Sequence, residues 1–490
     1  MFIKNISFLL FTILFYQTPL YSKSDSFDSK NLSKYFSGIV AYENQDNLAA
    51  LNFFNSSKGL IKKHDPFFKR YIYSLVLENK VSQAIVLVKN NKDKKNSNFF
   101  DARLLLILDS LKKSDFHKAN IQLLNLEKFN EQDELNLAIL ETLRQYIFTF
   151  KEKKILENKK NFGNLSVIAE MFQRCYLSDS KTETLFSNLI KNYNKIDYTR
   201  YLYFYISYLV ENKRFNYAIE TAKSIEYLSS TLLLSQGKNW IESKNFEKFN
   251  EIFSCKNHNH ITSEFFFLIS NLYSSQGNFE KSNFYLNLSY FLNPKFIFNL
   301  SLGVENYYQN KDYKKAKKIL KQIKKEDKFY YWYKVKKETQ IIEAQRNKRE
   351  ALNYIIAEFK KIKEPNKKFL FDIANFYKNA KKYNDAINYY SKILELIDDN
   401  SQIKSDVLYR RGASYERIGL YKKADDDFFE SLKIKPDDAY VLNYLAYSWL
   451  ERDYNIKMAI QMLETAYASK NNDPYIIDSI GWAYYLTNDF

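Results

Sequence analysis

The chain has 490 residues and carries 74 Lys and Arg against 57 Asp and Glu, a formal net charge of +17. With only 9 Gly and 6 Pro, it lacks the strained glycine turns on which many catalytic and phosphate-binding loops depend, and long helices joined by short polar turns are favoured. Apolar residues make up 46%, enough for a core, and the basic excess favours an acidic protein, anionic headgroups or nucleic acid as partner.

Residues 1–22 have the pattern of a secretory signal peptide. Lys4 supplies the positive charge, an apolar run follows from Ile6 to Tyr16, and Ser22 is a small residue suited to cleavage. The apolar run is short for a transmembrane helix, although an uncleaved anchor is the alternative. No Cys lies near the cleavage point, so a lipid anchor is not expected. After a short polar linker, residues 23–30, we expect a periplasmic or secreted protein.

Small and apolar residues recur every 31–38 residues or so, close to the 34-residue period of a known helix–turn–helix repeat. N-terminal repeats occupy 31–130, degenerate helical repeats 131–198, and a clearer array 199–490, which ends in half a repeat. The first copies are marked by Gly38, Ala50 and Phe54, then by Ile72, Ala84 and Val88, then by Ile107, Ala119 and Leu123.

The clearest copy runs from Ser405 to Asp438. Its landmarks, in order, are Leu408, Gly412, Tyr415, Gly419, Tyr421, Ala424, Phe428, Leu432 and Pro436. Small residues at Gly412 and Ala424, with Gly481 in the last copy, should let neighbouring helices approach closely. Phe428 should fill the space between the two helices of the hairpin, and each hairpin should bury its remaining apolar face on the next.

These landmarks resemble those of tetratricopeptide-repeat (TPR) proteins over nearly all of the chain after the signal peptide. The resemblance implies an all-α fold, a right-handed α-solenoid of TPR helix–turn–helix hairpins. The C-terminal run VLNYLAYSWLER…DSIGWAYY is similar to the last repeats of exported TPR scaffold and adaptor proteins of Gram-negative bacteria. That group includes lipoprotein adaptors that bind a C-terminal processing protease, but this sequence lacks the lipidation Cys.

The resemblance implies a concave face, lined by the first helices of the repeats, that binds protein segments. The candidate groove residues at those positions are Asn375, Lys378, Tyr409, Arg417, Tyr440, Asn443, Tyr447, Asp478, Trp482 and Tyr485, with Ala413 and Glu416 on the same face. Aromatic and Arg side chains are enriched at interface hot spots. The alternative is that individual members only pack between repeats. The TPR carboxylate clamp is not predicted, because Phe371, Tyr440 and Tyr444 occupy positions of its polar members.

Residues 297–368 hold 20 Lys and Arg against 9 Asp and Glu, a net +11. The candidate basic patch within them consists of Lys314, Lys315, Lys317, Lys318, Lys321, Lys324 and Lys325. An acidic partner or an anionic headgroup fits this charge, and the alternative is a solvated helix face. Nucleic acid is not expected, because the protein is predicted to be exported and no nucleic-acid-binding motif accompanies the charge.

The two cysteines, Cys175 and Cys255, are expected to be separate buried thiols. Export permits a disulfide, but a separation of 80 residues does not predict one, because pairing requires Cα atoms within about 7 Å of each other. The segment from Cys255 to His260, which includes His258, reads as an inter-repeat turn. It offers too few ligands for a structural zinc site, which normally has four, so no metal is expected.

Motifs for nucleophilic, phosphate-binding or metal-dependent catalysis are missing from the sequence, and we expect neither an enzyme nor a cofactor.

The chain ends on DSIGWAYYLTNDF, where a second repeat helix should begin, so either it is truncated or the half-repeat caps the array. The predicted function is a protein-binding scaffold or adaptor in the bacterial cell envelope, its partner an envelope protease or assembly complex. The alternative is a basic module that binds anionic lipid or polysaccharide.

Overall fold

The computed structural model describes residues 29–62, 64–91, 99–126, 133–157, 159–191, 199–397 and 402–487. The predicted signal peptide lies outside them. Within these ranges the chain forms 26 α-helices and no β-strand. Among the same residues, no helix combines the length and apolar character needed to span a bilayer.

The helices, numbered in chain order, are α1 (Ser29–Glu43), α2 (Asn47–Asn55), α3 (Asp65–Leu77), α4 (Val81–Lys89), α5 (Phe100–Lys112), α6 (Phe116–Leu126), α7 (Glu134–Glu152), α8 (Asn164–Leu177), α9 (Thr182–Lys191), α10 (Thr199–Glu211), α11 (Phe215–Lys223), α12 (Leu232–Glu242), α13 (Glu247–Ile252), α14 (His258–Ser275), α15 (Phe279–Leu292), α16 (Leu300–Gln309), α17 (Tyr313–Leu320), α18 (Lys328–Gln345), α19 (Lys348–Phe359), α20 (Lys367–Asn379), α21 (Tyr383–Leu394), α22 (Gln402–Glu416), α23 (Tyr421–Ile434), α24 (Ala439–Glu451), α25 (Ile456–Ser469) and α26 (Pro474–Leu486). Short 3-10 helices occupy Lys58–Lys62 and Ile297–Asn299.

The turns inside the hairpins explain how the chain manages with so few glycines. In eight of these turns one residue with positive φ lies two positions before the second helix. Only two of these residues are glycines, Gly277 and Gly419, with φ of 74° and 76°. At the equivalent turns φ is 57–60° at Gln45, Asn79, Ser114, Lys213, Lys311 and Lys381. Side chains with a Cβ therefore adopt the left-handed conformation that glycine adopts most easily.

The helices form two compact units, and unit 1 consists of Met1–Thr182 with Cys255–Leu302. In it, α1 pairs with α2, α3 with α4, and α5 with α6, and the α14–α15 hairpin packs back on these helices. The Tyr73 and Phe284 rings stack with centroids 4.7 Å apart, and Asn287 Nδ2 donates to the carbonyl of Val76 over 2.8 Å. Helices α7 and α8 belong to the same unit.

A disulfide joins Cys175, on α8, to Cys255, directly before α14. The expectation of two separate thiols is therefore wrong. Both cysteines belong to unit 1 and are 2% exposed, and their Cα atoms lie 5.6 Å apart. Most of the residues between the two cysteines belong to the other unit, so their sequence separation carried no information about this proximity.

Unit 2 consists of Glu183–Ser254 and Gly303–Phe490. Helix α12 packs on α18, and the Tyr227 and Phe329 rings stack at 5.4 Å beside this contact. The buried ammonium of Lys368 donates to the carbonyls of Tyr227 and Ser230 over 2.8 and 2.9 Å, which ties α20 to the turn before α12. From α18 onwards the hairpins α18–α19, α20–α21, α22–α23 and α24–α25 stack in chain order, followed by α26.

Close helix approach at Gly412 is confirmed. An added Cβ would lie 2.9 Å from Phe428 Cε1 and 3.2 Å from the carbonyl oxygen of Ala424, and Phe428 is fully buried. The same expectation for Gly481 is wrong, because a Cβ there meets no atom within 4 Å. Each unit is built from antiparallel helical hairpins, and the fold class is an all-α solenoid, as predicted.

Candidate functional site

The ten predicted groove residues all lie in unit 2, on or directly after the first helices of its stacked hairpins. Asn375 and Lys378 lie on α20, Tyr409 on α22, Arg417 directly after α22, Tyr440, Asn443 and Tyr447 on α24, and Asp478, Trp482 and Tyr485 on α26. Side-chain contacts join each of these helices to the next. Arg410 Nη1 donates to Asn375 Oδ1 over 3.3 Å, and Trp482 Nε1 donates to Glu451 Oε1 over 3.1 Å. The predicted residues therefore form a row across four repeats.

A cleft of about 590 Å³ opens in the C-terminal part of this row. Four of the ten predicted groove residues line it, namely Arg417, Asn443, Tyr447 and Asp478, and so does Glu416, which was predicted on the same face. The other lining residues are Tyr421, Tyr444, Ser448, Glu451, Arg452, Tyr475 and Ser479. The cleft thus presents four tyrosine rings together with charged groups of both signs. Such a surface fits a polypeptide with aromatic and charged side chains better than a small apolar ligand.

Several charged groups of the cleft are held in place before any partner binds. Arg452 Nη2 lies 2.9 Å from Asp425 Oδ1, and its guanidinium is 4.7 Å from the centre of the Tyr421 ring. The Tyr444 hydroxyl donates to Glu416 Oε2 over 3.2 Å. A partner therefore meets fixed side chains, and less conformational entropy is lost on binding.

Two polar atoms of the lining residues have no hydrogen-bond partner among the described residues, Asn443 Oδ1 and Ser448 Oγ. Both are buried, and buried polar groups without partners reduce stability.

Burial raises the pKa of Tyr447, and the carboxylates of Glu451 and Asp478 raise this pKa further. The Tyr447 hydroxyl therefore stays protonated at neutral pH and can donate a hydrogen bond.

Tyr409 is a packing residue, as the alternative interpretation allows. It is partly buried against the core of unit 2, and its ring lies 5.8 Å from that of Tyr444 and 6.2 Å from that of Phe428. Tyr440, in contrast, is exposed, with the ammonium of Lys470 5.1 Å from its ring centre.

The last two predicted residues form an exposed aromatic pair. The Trp482 and Tyr485 rings stack at 5.4 Å and are 37% and 59% exposed. They lie outside the lining of the cleft, although Trp482 contacts it through its hydrogen bond to Glu451.

Sequence reasoning missed part of the cleft. Glu451 lies four residues after Tyr447, and Tyr475 lies three residues before Asp478, so helical spacing could have extended the prediction to both. Tyr475 is the more prominent omission, because it is 78% exposed. Tyr421 and Arg452 lie at the hairpin turns, where helical spacing no longer applies.

The seven lysines of the candidate basic patch lie on α17 and on the turn that follows it. Lys314, Lys318, Lys321, Lys324 and Lys325 are exposed. Lys315 is partly buried and lies 3.3 Å from Asp312, and Lys317 donates to Gln345 Oε1 over 2.8 Å. Most of the patch therefore presents its charge to solvent.

The segment containing Cys255, His258 and His260 differs from the expected turn. His258 and His260 belong to the first turn of α14, and the sulfur of Cys255 is consumed by the disulfide. His258 Nε2 lies 2.8 Å from the carbonyl oxygen of Leu111. Across the described part of the chain, no group of three or more His, Cys, Asp and Glu side chains is arranged to hold a metal ion.

The tetratricopeptide repeat model matches residues 368–400, the region of the α20–α21 hairpin. This match supports a TPR protein. A TPR fold is a protein-interaction scaffold and is generally non-enzymatic, and no catalytic family is among the matches.

Solved structures that match this chain include those of the APC/C hetero-tetramer Cut9-Hcn1, of the P58(IPK) TPR domain and of yeast Tom70. Each is 14% identical to this chain, and the TM-scores are 0.36, 0.31 and 0.28. The alignments cover 93%, 94% and 94% of this chain and 96%, 98% and 96% of the others. No curated protein gives a significant match.

Proposed function

We propose that the chain is a non-enzymatic scaffold or adaptor in the bacterial cell envelope, which binds segments of partner proteins in the cleft of unit 2 and along the adjoining row of first helices. The observation that carries the proposal is the cleft itself, with four tyrosine rings and fixed charged groups on stacked repeat helices. Tyr and Arg are the residue types that contribute most at protein interfaces. Asn443, whose side-chain carbonyl oxygen has no hydrogen-bond partner among the described residues, is also part of the cleft lining.

The envelope location is supported by two independent features. Residues 1–22 have the pattern of a signal peptide. The buried Cys175–Cys255 disulfide fits an oxidising compartment, because disulfides form and persist there and are rare in the cytosol. An envelope protease or an assembly complex is the partner class implied by the resemblance of the C-terminal repeats.

Site-specific photo-crosslinking in cells tests the proposal. A photo-reactive phenylalanine analogue replaces Tyr475, which lines the cleft, or Tyr217 on α11, which is 62% exposed and outside it. We expect a discrete protein adduct from the Tyr475 position, and no adduct or only diffuse products from the Tyr217 position. Mass spectrometry then identifies the captured partner.

The cleft itself is tested by adding Tyr447→Ala or Trp482→Ala to the photo-reactive Tyr475 variant. Either substitution should reduce the adduct at every salt concentration, because aromatic contact area is insensitive to ionic screening. Equal adducts from the Tyr475 and Tyr217 positions, or none from either, would contradict a partner in the cleft.

The exposed lysines of the basic patch support a second candidate, peripheral binding to anionic lipid or polysaccharide. Co-sedimentation with phosphatidylglycerol vesicles, compared with phosphatidylcholine vesicles, tests it. Binding should weaken steeply with added salt and with Lys318→Gln and Lys321→Gln. Binding that is equal on neutral vesicles would exclude this candidate.

A further inference from the structure

Three cationic side chains lie on or directly after two neighbouring first helices of unit 2, and one of them lines the cleft. Lys378 lies near the end of α20, Arg410 on α22 and Arg417 directly after α22. We call these three residues the cation cluster. Arg410 is held by its hydrogen bond to Asn375 and by the Phe371 ring, whose centre is 5.3 Å from the guanidinium carbon. Arg417 is both a member of the cluster and part of the cleft lining.

The cluster is short of acidic partners. Neither Lys378 nor Arg410 forms an ion pair with any described residue, and Arg410 Nε is buried without a hydrogen-bond partner. Arg417 Nε lies 3.4 Å from a carboxylate oxygen of Glu416. Among the described residues, one carboxylate is therefore paired with the three cations of the cluster.

Several other cations of the same hairpins do have carboxylate partners. Arg411, the next residue after Arg410, forms a two-pronged ion pair with Asp427 at 2.8 and 2.7 Å. Lys404 lies 2.7 Å from Glu430, and Lys435 lies 2.9 Å from Asp406. Cations on other faces of α22 and α23 therefore have carboxylate partners, whereas Lys378 and Arg410 have none among the described residues.

Burial lowers the pKa of Lys378, and the charges of Arg410 and Arg417 lower it further. The three groups are thus close enough to repel one another, which destabilises the free protein. A bound anion would relieve that repulsion, and it would also pair the buried Arg410 Nε.

Asn375 adds a hydrogen-bond donor to the cluster. Its Oδ1 accepts from the Tyr390 hydroxyl at 2.7 Å and from Arg410 Nη1 at 3.3 Å. This pattern fixes the amide orientation, and the Nδ2 donors are left without a partner among the described residues.

We propose that Lys378, Arg410, Arg417 and Asn375 bind the side-chain carboxylates of an acidic segment in the partner protein. Arginine and asparagine donors match the geometry of carboxylates, and lysine adds charge. With three cations and one internal carboxylate, the cluster requires at least two acidic side chains for neutrality, so a run of Asp or Glu fits better than a single terminal carboxylate. Because Arg417 belongs to both sites, the acidic run would lie next to the part of the partner held in the cleft. This inference rests on the proposed function and specifies its partner.

Fluorescence anisotropy with the full mature chain tests the assignment. The probe is a labelled, C-terminally amidated peptide of alternating Tyr and Glu, and the comparison peptide has Gln in place of each Glu. We expect the Glu peptide to bind and the Gln peptide to bind at least about tenfold more weakly, with an affinity for the Glu peptide that falls as salt increases. Equal binding of the two peptides would overturn the assignment.

The matched variants are Lys378→Gln and Lys422→Gln, which remove the same charge inside and outside the cluster. Lys422 is exposed on α23 and has no ion pair with a described residue. Lys378→Gln should weaken binding of the Glu peptide about tenfold, and Lys422→Gln should leave it near the wild-type value. A similar loss in both variants would mean that the peptide responds only to overall charge, and would overturn the cluster as the site.

Folding of the variants is checked independently by thermal unfolding. Lys378→Gln removes a source of repulsion, so its midpoint should be at or above that of the wild type, and weaker binding would not reflect unfolding. A further comparison peptide is the Gln peptide with a free C-terminal carboxylate. If that carboxylate restores binding, the inferred preference for side-chain carboxylates is wrong.

The crosslinking experiment separates this inference from the proposed function. If the adduct at position 475 persists undiminished in Lys378→Gln and disappears in Tyr447→Ala, the scaffold function stands and the acidic-segment inference fails. If the adduct falls in both variants, both proposals are supported.

Discussion

At the scale of single residues, the close contact between Gly412 and Phe428 offers the most direct test of how the repeat helices pack. A methyl group at Gly412 would lie 2.9 Å from Phe428 Cε1 and 3.2 Å from a backbone oxygen that cannot rotate away. Gly412→Ala should therefore lower the free energy of unfolding by about 1–3 kcal/mol, although alanine is the better helix former. Urea unfolding monitored by circular dichroism measures the change.

Gly481→Ala is the matched control, since position 481 lies at the same place in its repeat and a Cβ there has open space. It should be neutral or stabilising by up to about 1 kcal/mol. An equal loss of stability in the two variants would mean that helix packing at Gly412 does not limit the residue size.

His260 makes the stability of unit 1 depend on pH. Burial lowers its pKa to about 4, and Lys112, Lys295 and His258 contribute in the same direction. Because the unfolded imidazole titrates near pH 6.5, the unfolded chain binds more protons between pH 6.5 and 4, and the free energy of unfolding falls as the pH falls through that range. The full effect is on the order of 3 kcal/mol.

The measurement is the free energy of unfolding at a series of pH values for the wild type and for His260→Gln. The variant should lose less stability than the wild type between pH 6.5 and 4. His117→Gln, which replaces an exposed histidine, controls for the loss of an imidazole. A His260→Gln profile as steep as that of the wild type would contradict this role.

At the scale of helices and turns, the left-handed residues that replace glycine predict an easy gain in stability. Lys381 has a φ of 59° in the turn between α20 and α21, where Gly419 occupies the equivalent turn of the next hairpin with a φ of 76°. Lys381→Gly removes the clash of a Cβ in this conformation, which outweighs the greater entropy of glycine in the unfolded chain. We expect about 0.5–1 kcal/mol of stabilisation in thermal or urea unfolding.

The neighbouring Lys382 provides the control for this turn. It has a φ of −91°, so glycine brings no relief of strain there and only adds unfolded-state entropy. Lys382→Gly should therefore destabilise the protein, and the two lysine-to-glycine variants should differ in sign. Destabilisation by both would show that the turn is not strained.

The local part of the fold could be predicted from the sequence, because each hairpin has its own periodicity and its own small residues at close contacts. The return of α14 and α15 to unit 1 could not be predicted. Asn287 and Val76 are separated by 211 residues, and no spacing in the sequence marks their contact. The disulfide was missed for the same reason.

The candidate site divides in a similar way. The resemblance to TPR repeats placed Asn443, Tyr447 and Asp478 on one face, and all three line the cleft. The sequence did not show that Arg410 lacks a carboxylate partner while Arg411 has one. That difference depends on the position of Asp427 on the second helix of the hairpin. Contacts with side chains from the second helix or from the turns cannot be inferred from helical spacing and are seen only in the packed hairpin.

At the scale of the whole molecule, the net charge of +17 is unevenly distributed, and +11 of it falls in residues 297–368. Some of the acidic residues elsewhere form ion pairs within the hairpins, as Asp427 and Asp425 do. An envelope surface with anionic headgroups would attract the basic patch without specificity, and the cleft would then select the partner. The two candidate functions are therefore compatible in one protein.

The predicted signal sequence and the disulfide together lead to a prediction about the cellular compartment. In a Gram-negative host, the full-length chain should be recovered from the periplasm with its N-terminus near residue 23 and both cysteines oxidised. The same chain without residues 1–22 should stay in the cytoplasm with reduced thiols. Closing a loop of 80 residues restricts the unfolded chain, so the oxidised protein should be more stable by about 2–4 kcal/mol.

Maleimide labelling under denaturing conditions, before and after reduction, distinguishes the two states, and urea unfolding compares their stabilities. Cys255→Ser expressed with its signal sequence is the control, because it is exported but cannot form the bond. It should match the stability of the reduced cytoplasmic protein, since both lack the same cross-link. A full-length chain that remains in the cytoplasm with an intact N-terminus would contradict export. Equal stability of the oxidised and reduced proteins would show instead that the helices of unit 1 hold α8 against α14 without the cross-link.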